Sequence, residues 1–187
     1  TSGMIVSNPH PNIIVYDNVF NWQQNQEMFD HVYQAPYHLG WSDNYNESEQ
    51  YFHCGFDSNM WKNRQQHGPI NNILEPLYNS EPFRIHNVDD NKISKSVINC
   101  DTLSDSHTVH THRNEDVLLY YVNTEWKDGW GGETFFYDNN GKEIVYTCPY
   151  TPNRMVYFRG DIVHRFNGPS KDGPKFRFSI STFIERN

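Results

Sequence analysis

A mainly β fold with flanking helices, a two-sheet sandwich or jelly roll, is what the chain predicts from three observations. Aromatic residues make up 16% of its 187 positions and recur in short runs. Gly, Pro, Asn and Asp bound those runs, as they do between strands. Helical spacing of apolar residues is confined to the first half, and from about residue 85 onward short β-like runs follow one another.

Element by element, an early strand is expected near 13–16. The segment NWQQNQEMFDHVYQ, residues 21–34, carries Trp22, Phe29, Val32 and Tyr33 at roughly helical spacing and stops before Pro36, which predicts an amphipathic helix. Residues 40–57, GWSDNYNESEQYFHCGFD, are polar, aromatic and long for a loop. They read equally as a lid over a binding site and as a meandering surface connection. A second, short helix is expected from 69 to about 78. Strands follow around 93–100, 117–123, 133–137, 143–148, 155–159, 162–166 and 176–184, separated by turn signals such as Gly131-Gly132, Asn139-Asn140-Gly141 and Gly168-Pro169. With the early strand this makes about eight, the count of a jelly roll. No internal repeat or long linker divides the chain, so one domain is expected over 4–187, with a helical flank about 18–80 and a β core about 83–184. Thr1, Ser2 and Gly3 precede Met4 and read as a remnant of expression.

Lys and Arg total 15 against 23 Asp and Glu, a net charge of -8 that argues against nucleic acid or an anionic membrane as partner. No apolar run approaches the ~20 residues of a membrane span, and no charged, apolar leader opens the chain. Cys54, Cys100 and Cys148 are odd in number and widely spaced. Neither a disulfide framework nor a thiolate zinc site is indicated, and a reducing, cytoplasmic setting is expected.

The stretch HTVHTHRNED, residues 107–116, places three histidines just before the apolar run VLLYYV. In a strand His110 and His112 share a face while His107 falls on the other. Neutral imidazole suits iron, zinc, copper or nickel, and a third ligand has to come from a distant segment, for which His164 in FRGDIVHRFNGPS is the candidate. Spacing alone does not choose the metal.

The order of features carries more. HTH, VLLYYVN, WKDGWGGETFFYD, PNRMVYFRGDIVH and KFRFSIS succeed one another, and this order resembles the prolyl-hydroxylase-like branch of the Fe(II)/2-oxoglutarate-dependent oxygenases, including small phage and marine bacterial members. That family runs N-x-x-T-x-G, H-x-D, an L-x-Y-x-N strand, W-G-G-E-T, a distal histidine strand and a terminal Arg or Lys. Here Asn99 and Thr102, Tyr121 and Asn123, Trp130 to Thr134, Phe158 and His164, and Arg177 match in turn, over about residues 96–184.

The resemblance implies a double-stranded β-helix of cupin type, and Fe(II), 2-oxoglutarate and O2 as cofactor and co-substrates. The implied reaction couples 2-oxoglutarate decarboxylation to hydroxylation of a prolyl or other amino-acid side chain in a peptide, or of a small molecule. His110, His112 and His164 would hold the metal. Arg177, thirteen residues after His164, would anchor the far carboxylate of 2-oxoglutarate with Ser179 beside it. Tyr121 would reach the same carboxylate, Asn99 would orient the 2-oxo acid end, and His107 matches a position that in some relatives touches co-substrate or substrate. One departure stands out: the family's metal-binding aspartate is replaced by His112, which removes a negative charge beside the metal. Asp105 or Glu115 are the carboxylates near enough in sequence to stand in. Two other readings stay open, a three-His dioxygenase independent of 2-oxoglutarate and a metal- or ligand-binding sandwich that has lost turnover. Trp126 and Trp130 are expected to cap the sandwich edge, and Asp161 to support His164 or to serve a turn.

Overall fold

The computed structural model describes residues 3–41 and 50–186. Along the chain these form β1 (Ile5–His10), β2 (Ile13–Asp17), α1 (Trp22–Tyr33), β3 (His38–Trp41), β4 (Tyr51–Asp57), α2 (Ser58–Lys62), α3 (Asn71–Tyr78) and α4 (Glu81–Ile85). The second half is strand after strand: β5 (Ile93–Asp101), β6 (Glu115–Tyr121), β7 (Thr134–Tyr137), β8 (Ile144–Cys148), β9 (Met155–Arg159), β10 (His164–Phe166) and β11 (Arg177–Glu185).

Eight strands form one large antiparallel sheet in the order β1-β2-β9-β6-β11-β5-β4-β3, and β10-β7-β8 form a smaller one. Bridges Ser106↔Asn167 and His110↔His164 lay residues 106–110 beside β10, extending the small sheet by a fourth edge segment. The two sheets face each other as a double-stranded β-helix, with the helices packed on the outer side of the large sheet. Two buried layers result. Between the sheets lie Val97, Val117, Leu119, Tyr121, Phe136 and Phe158, whereas Ile98, Leu118, Tyr120 and Ile180 face Met28, Val32, Trp61 and Leu74 under the helices. Alternation sorts β6 between the layers, odd residues inward and even ones toward the helices. Tyr120 is thus core on the helix side, as its number predicts.

Helix α1 starts with a reciprocal cap: Gln24 N–H donates to Asn21 Oδ1 at 2.8 Å, and Asn21 N–H donates to Gln24 Oε1 at 3.1 Å. Its buried face is Asn25, Met28 and Val32, with Phe29 partly covered. Trp22 and Tyr33, expected in that face, are 76% and 56% exposed. Asn25 takes an inward position because its Nδ2 donates to the Tyr120 hydroxyl at 2.8 Å, which satisfies both groups away from water.

The strands expected from the sequence are present, and β1, β3 and β4 add to them. Residues 51–57 of the supposed lid are β4, paired with β5 from Phe52↔Cys100 to Asp57↔Lys95. Residues 40–41 of the segment end β3, and 42–49 lie outside the described residues. The first half is therefore a helical flank interrupted by a β3–β4 edge hairpin.

Candidate metal centre and co-substrate pocket

Backbone pairing, more than side-chain attraction, brings the histidines together. His110 N–H donates to His164 C=O at 3.0 Å and His164 N–H donates back at 3.1 Å, so the two residues stand directly opposite and their side chains share a face. His112 lies two residues on. Gly160, in the turn between β9 and β10, has room only for hydrogen there, since a Cβ would meet the carbonyl oxygens of His112 and Glu115 at 2.3 Å. Ring centroids are 4.4 Å apart for His110 and His164, 5.0 Å for His110 and His112, and 5.1 Å for His112 and His164. One ring nitrogen of each falls within 4.8 Å of the others.

The tautomers are set by the backbone. His110 Nδ1 lies 2.8 Å from Thr108 C=O and His164 Nδ1 2.9 Å from Ile162 C=O. A carbonyl only accepts, so Nδ1 carries the proton in both and Nε2 keeps its lone pair for a ligand. His164 is 4% exposed. Burial first, then the neighbouring His110 and His112, push its pKa well below the usual imidazole value, so it is neutral at neutral pH, as metal ligation requires. His110 and His112 are half-buried. The cavity beside them is walled by Trp41, Val97, Asn99, Thr134, Ser181 and Phe183.

Deeper between the sheets lies Arg177, fully buried. Its Nε donates to Gly132 C=O at 2.9 Å and Nη1 to Ser179 Oγ at 3.2 Å, while Nη2 has no partner among the described residues. Phe166, Tyr150 and Tyr121 surround the guanidinium at 4.6, 5.1 and 5.4 Å. Tyr121 shares a hydrogen bond of 2.6 Å with Thr134 Oγ1, and burial pushes its phenol well above the ordinary value, so the proton stays on. Asn99 and Ser179 are cross-strand partners, and Ser179 in turn pairs with Tyr121. Asn99 Oδ1 is buried without a partner among the described residues. Two unpartnered polar atoms, a donor and an acceptor, thus lie on the inner face of the large sheet. Orphans of this kind in a packed interior point to an occupant.

His107 is placed apart from the cavity. Its Nε2 lies 2.7 Å from Asp101 Oδ1, and its ring is stacked between Tyr51 and Phe166 at 3.8 and 3.7 Å. Neither stand-in carboxylate turns to the histidines. Asp105 accepts from Thr102 N–H at 2.7 Å, and Glu115 is bonded to Ser94 Oγ. Asp161 is exposed and pairs with Arg159 at 3.6 Å, so it supports a turn. Trp126 does cap the sandwich, its Nε1 donating to Gly131 C=O at 3.0 Å and its ring lying on Tyr150 at 4.2 Å. Sequence reasoning missed Trp41, Phe183 and Asp101. Period-two alternation from Asn99 reaches Asp101 directly, and an inward aspartate on a strand buried on both faces was the available signal.

Three convergent imidazoles and a guanidinium with a spare donor suit a divalent iron and a dicarboxylic 2-oxo acid. By sequence, residues 78–185, more than half of the chain, match the 2OG-Fe(II) oxygenase superfamily. No curated protein matches the chain. By structure it is similar to a prolyl hydroxylase from Trichoplax adhaerens in complex with a hypoxia inducible factor oxygen degradation domain peptide fragment, with TM-score 0.70, 15% identity, and 93% of this chain and 83% of that one covered. A Pseudomonas putida prolyl-4-hydroxylase gives 0.60, 12%, 94% and 93%. The viral collagen prolyl hydroxylase of Paramecium Bursaria Chlorella virus-1, in its 2OG complex, gives 0.59, 9%, 94% and 97%. At such identities these neighbours speak to the fold. The match over 78–185 speaks to descent, and the chain belongs to the 2OG-Fe(II) oxygenase superfamily, oxidoreductases that use Fe(II), 2-oxoglutarate and O2.

Proposed function

We propose that the chain is a hydroxylase of the prolyl-hydroxylase-like branch, acting on an amino-acid side chain within a peptide or on a small molecule, with His110, His112 and His164 as its metal ligands. The observation that carries this reading is the convergence of three ring nitrogens within 4.8 Å, two of them with their tautomer fixed from behind by backbone carbonyls. When bound, the iron supplies the oxygen chemistry, spending 2-oxoglutarate and O2 to oxidise a substrate C–H bond.

The chain's residues hold, orient and shield. Arg177 offers Nη2 to the far carboxylate of 2-oxoglutarate, and Ser179 stands beside it as a hydroxyl neighbour. Tyr121 keeps its phenolic proton and shapes the same pocket through Thr134. Asn99, in the wall of the same cavity, offers its amide Nδ2 as a donor to the 2-oxo acid end. Phe158, Phe166 and Phe183 keep water from the reacting centre. His107 supports this pocket through Asp101 rather than by contact. With imidazole in place of carboxylate at position 112, the ligand set carries no negative charge, so Fe(II) is held more weakly than by a set containing aspartate. The three buried cysteines, none of them bridged, support a reducing, cytoplasmic setting.

The test is succinate release from 2-oxoglutarate by the wild-type chain under Fe(II) and O2. Formation that is lost in His164→Ala supports the reading. No succinate at saturating iron favours a three-His oxygenase that chelates its own substrate. Succinate only from His112→Asp identifies a binding protein that has lost turnover.

A further inference from the structure

Arg177 is not a lone cation. Its Nη1 lies 3.4 Å from Asp101 Oδ2, and both side chains are fully buried. The aspartate is fixed from the other side by His107 Nε2 at 2.7 Å, and that imidazole is itself clamped between Tyr51 and Phe166. The guanidinium is equally confined by its bond to Gly132 C=O and by the rings of Phe166, Tyr150 and Tyr121. Neither charge can swing away from the other when a ligand enters. In a dry interior such a pair is little screened.

We propose that Asp101 is a fixed counter-charge to the co-substrate anchor, so that the pocket prefers a charged far end only weakly and accepts 2-oxo acids whose far end is a neutral hydrogen-bond acceptor. This rests on the reading of Arg177 as that anchor. The fixed charges of the pair sum to zero, and what remains on offer is the unpartnered Nη2 donor. A carboxylate oxygen, an amide oxygen or a hydroxyl all accept from such an N–H. The extra strength that a carboxylate normally draws from an uncompensated guanidinium is offset by repulsion from Asp101. Asp101 is thus a specificity-determining residue that acts through Arg177, and His107 is the residue that positions it.

The experiment is titration calorimetry of the full chain loaded with zinc, which binds without turnover. The probes are 2-oxoglutarate and 2-oxoglutaramate, its neutral amide at the far end. Wild type is expected to prefer the dicarboxylate by less than about tenfold. Asp101→Asn keeps an acceptor for His107 and removes the charge. It is expected to tighten 2-oxoglutarate by about tenfold or more while leaving the amide within about twofold, so that the ratio widens. A wild-type preference above about a hundredfold, or an unchanged ratio in Asp101→Asn, overturns the proposal. Should Asp101→Asn not fold, the wild-type pair of ligands still decides. Arg177→Met separates the two layers: if it binds 2-oxoglutarate as wild type does, the anchor reading itself fails. If it loses binding while the Asp101→Asn ratio stays fixed, only the counter-charge does.

Discussion

At Gly132 the chain passes with φ of +79° between the ring of Trp126 and the side chain of Arg177. An added Cβ would stand 2.7 Å from Trp126 Cζ2 and 3.3 Å from Arg177 Cδ and Nε. Gly132→Ala is therefore strained twice, in backbone and in packing, and is expected to cost about 1–3 kcal/mol. A urea midpoint equal to wild type contradicts this account of the turn. At position 112 the question is charge. His112→Asp supplies the carboxylate that Mn(II) favours and is expected to tighten Mn(II) by about tenfold, read by calorimetry. If affinity is unchanged or weaker, residue 112 is not a ligand. The convergence of His110, His112 and His164 was legible because these residues belong to short motifs with fixed spacing, as do Arg177 and Ser179, whose roles are proposals. Asp101 was not legible in that way. Alternation from Asn99 turns it inward, but its partners His107 and Arg177 follow from the ring clamp on His107 and the register of β5 against β11, both long-range facts.

Among elements, the stack behind α4 sets how acid acts on the fold. His86 follows that helix, lies 3.8 Å from the Tyr157 ring and shares a 2.7 Å hydrogen bond with the Tyr16 hydroxyl. Burial lowers its pKa below 6.5, against a smaller opposite pull from Asp116. The unfolded chain then takes up the proton first as pH falls. The His86 contribution is full above about pH 6.5 and is lost as pH falls from there through the folded value, with His164 shifted in the same direction. Urea midpoints from pH 7.5 down to 5 are expected to fall in wild type and to fall less in His86→Phe. Equal slopes would show that His86 does not contribute. Elements were legible where amphipathic pattern and buried period agreed, as in α1 and β5 to β11. They were not where edges are concerned. β1 and β3 are the two edge strands and almost wholly exposed, so burial left little alternation to find there, and β4, second from the edge, alternates cleanly only over its last four residues. The exposed Trp22 is the converse case, an apolar residue in the first helical turn whose side chain points away from the sheet.

For the whole molecule, the centre joins segments more than fifty residues apart in the chain, and it does so through the ladder that pairs His110 with His164. An ion held by all three proposed ligands would bind only the folded chain. A ligand that binds only the folded chain adds about 2.7 kcal/mol at a hundred times its Kd. Zinc at that ratio is expected to raise the unfolding free energy of wild type by about this amount and to leave His164→Ala nearly unchanged. Equal gains in both would place the ion elsewhere. The jelly-roll class was legible because strand count and turn spacing are local properties. How the two sheets stack, and so which buried polar atoms share the cavity, depends on registers that no local pattern specifies. The most direct measurement is a crystal structure of the chain with zinc and 2-oxoglutarate. The expected result is one ion about 2.1 Å from an Nε2 of each of His110 and His164 and from a ring nitrogen of His112, with a 2-oxoglutarate carboxylate at Arg177 Nη2. An ion bound away from these rings, or one of the three turned from it, would contradict the account.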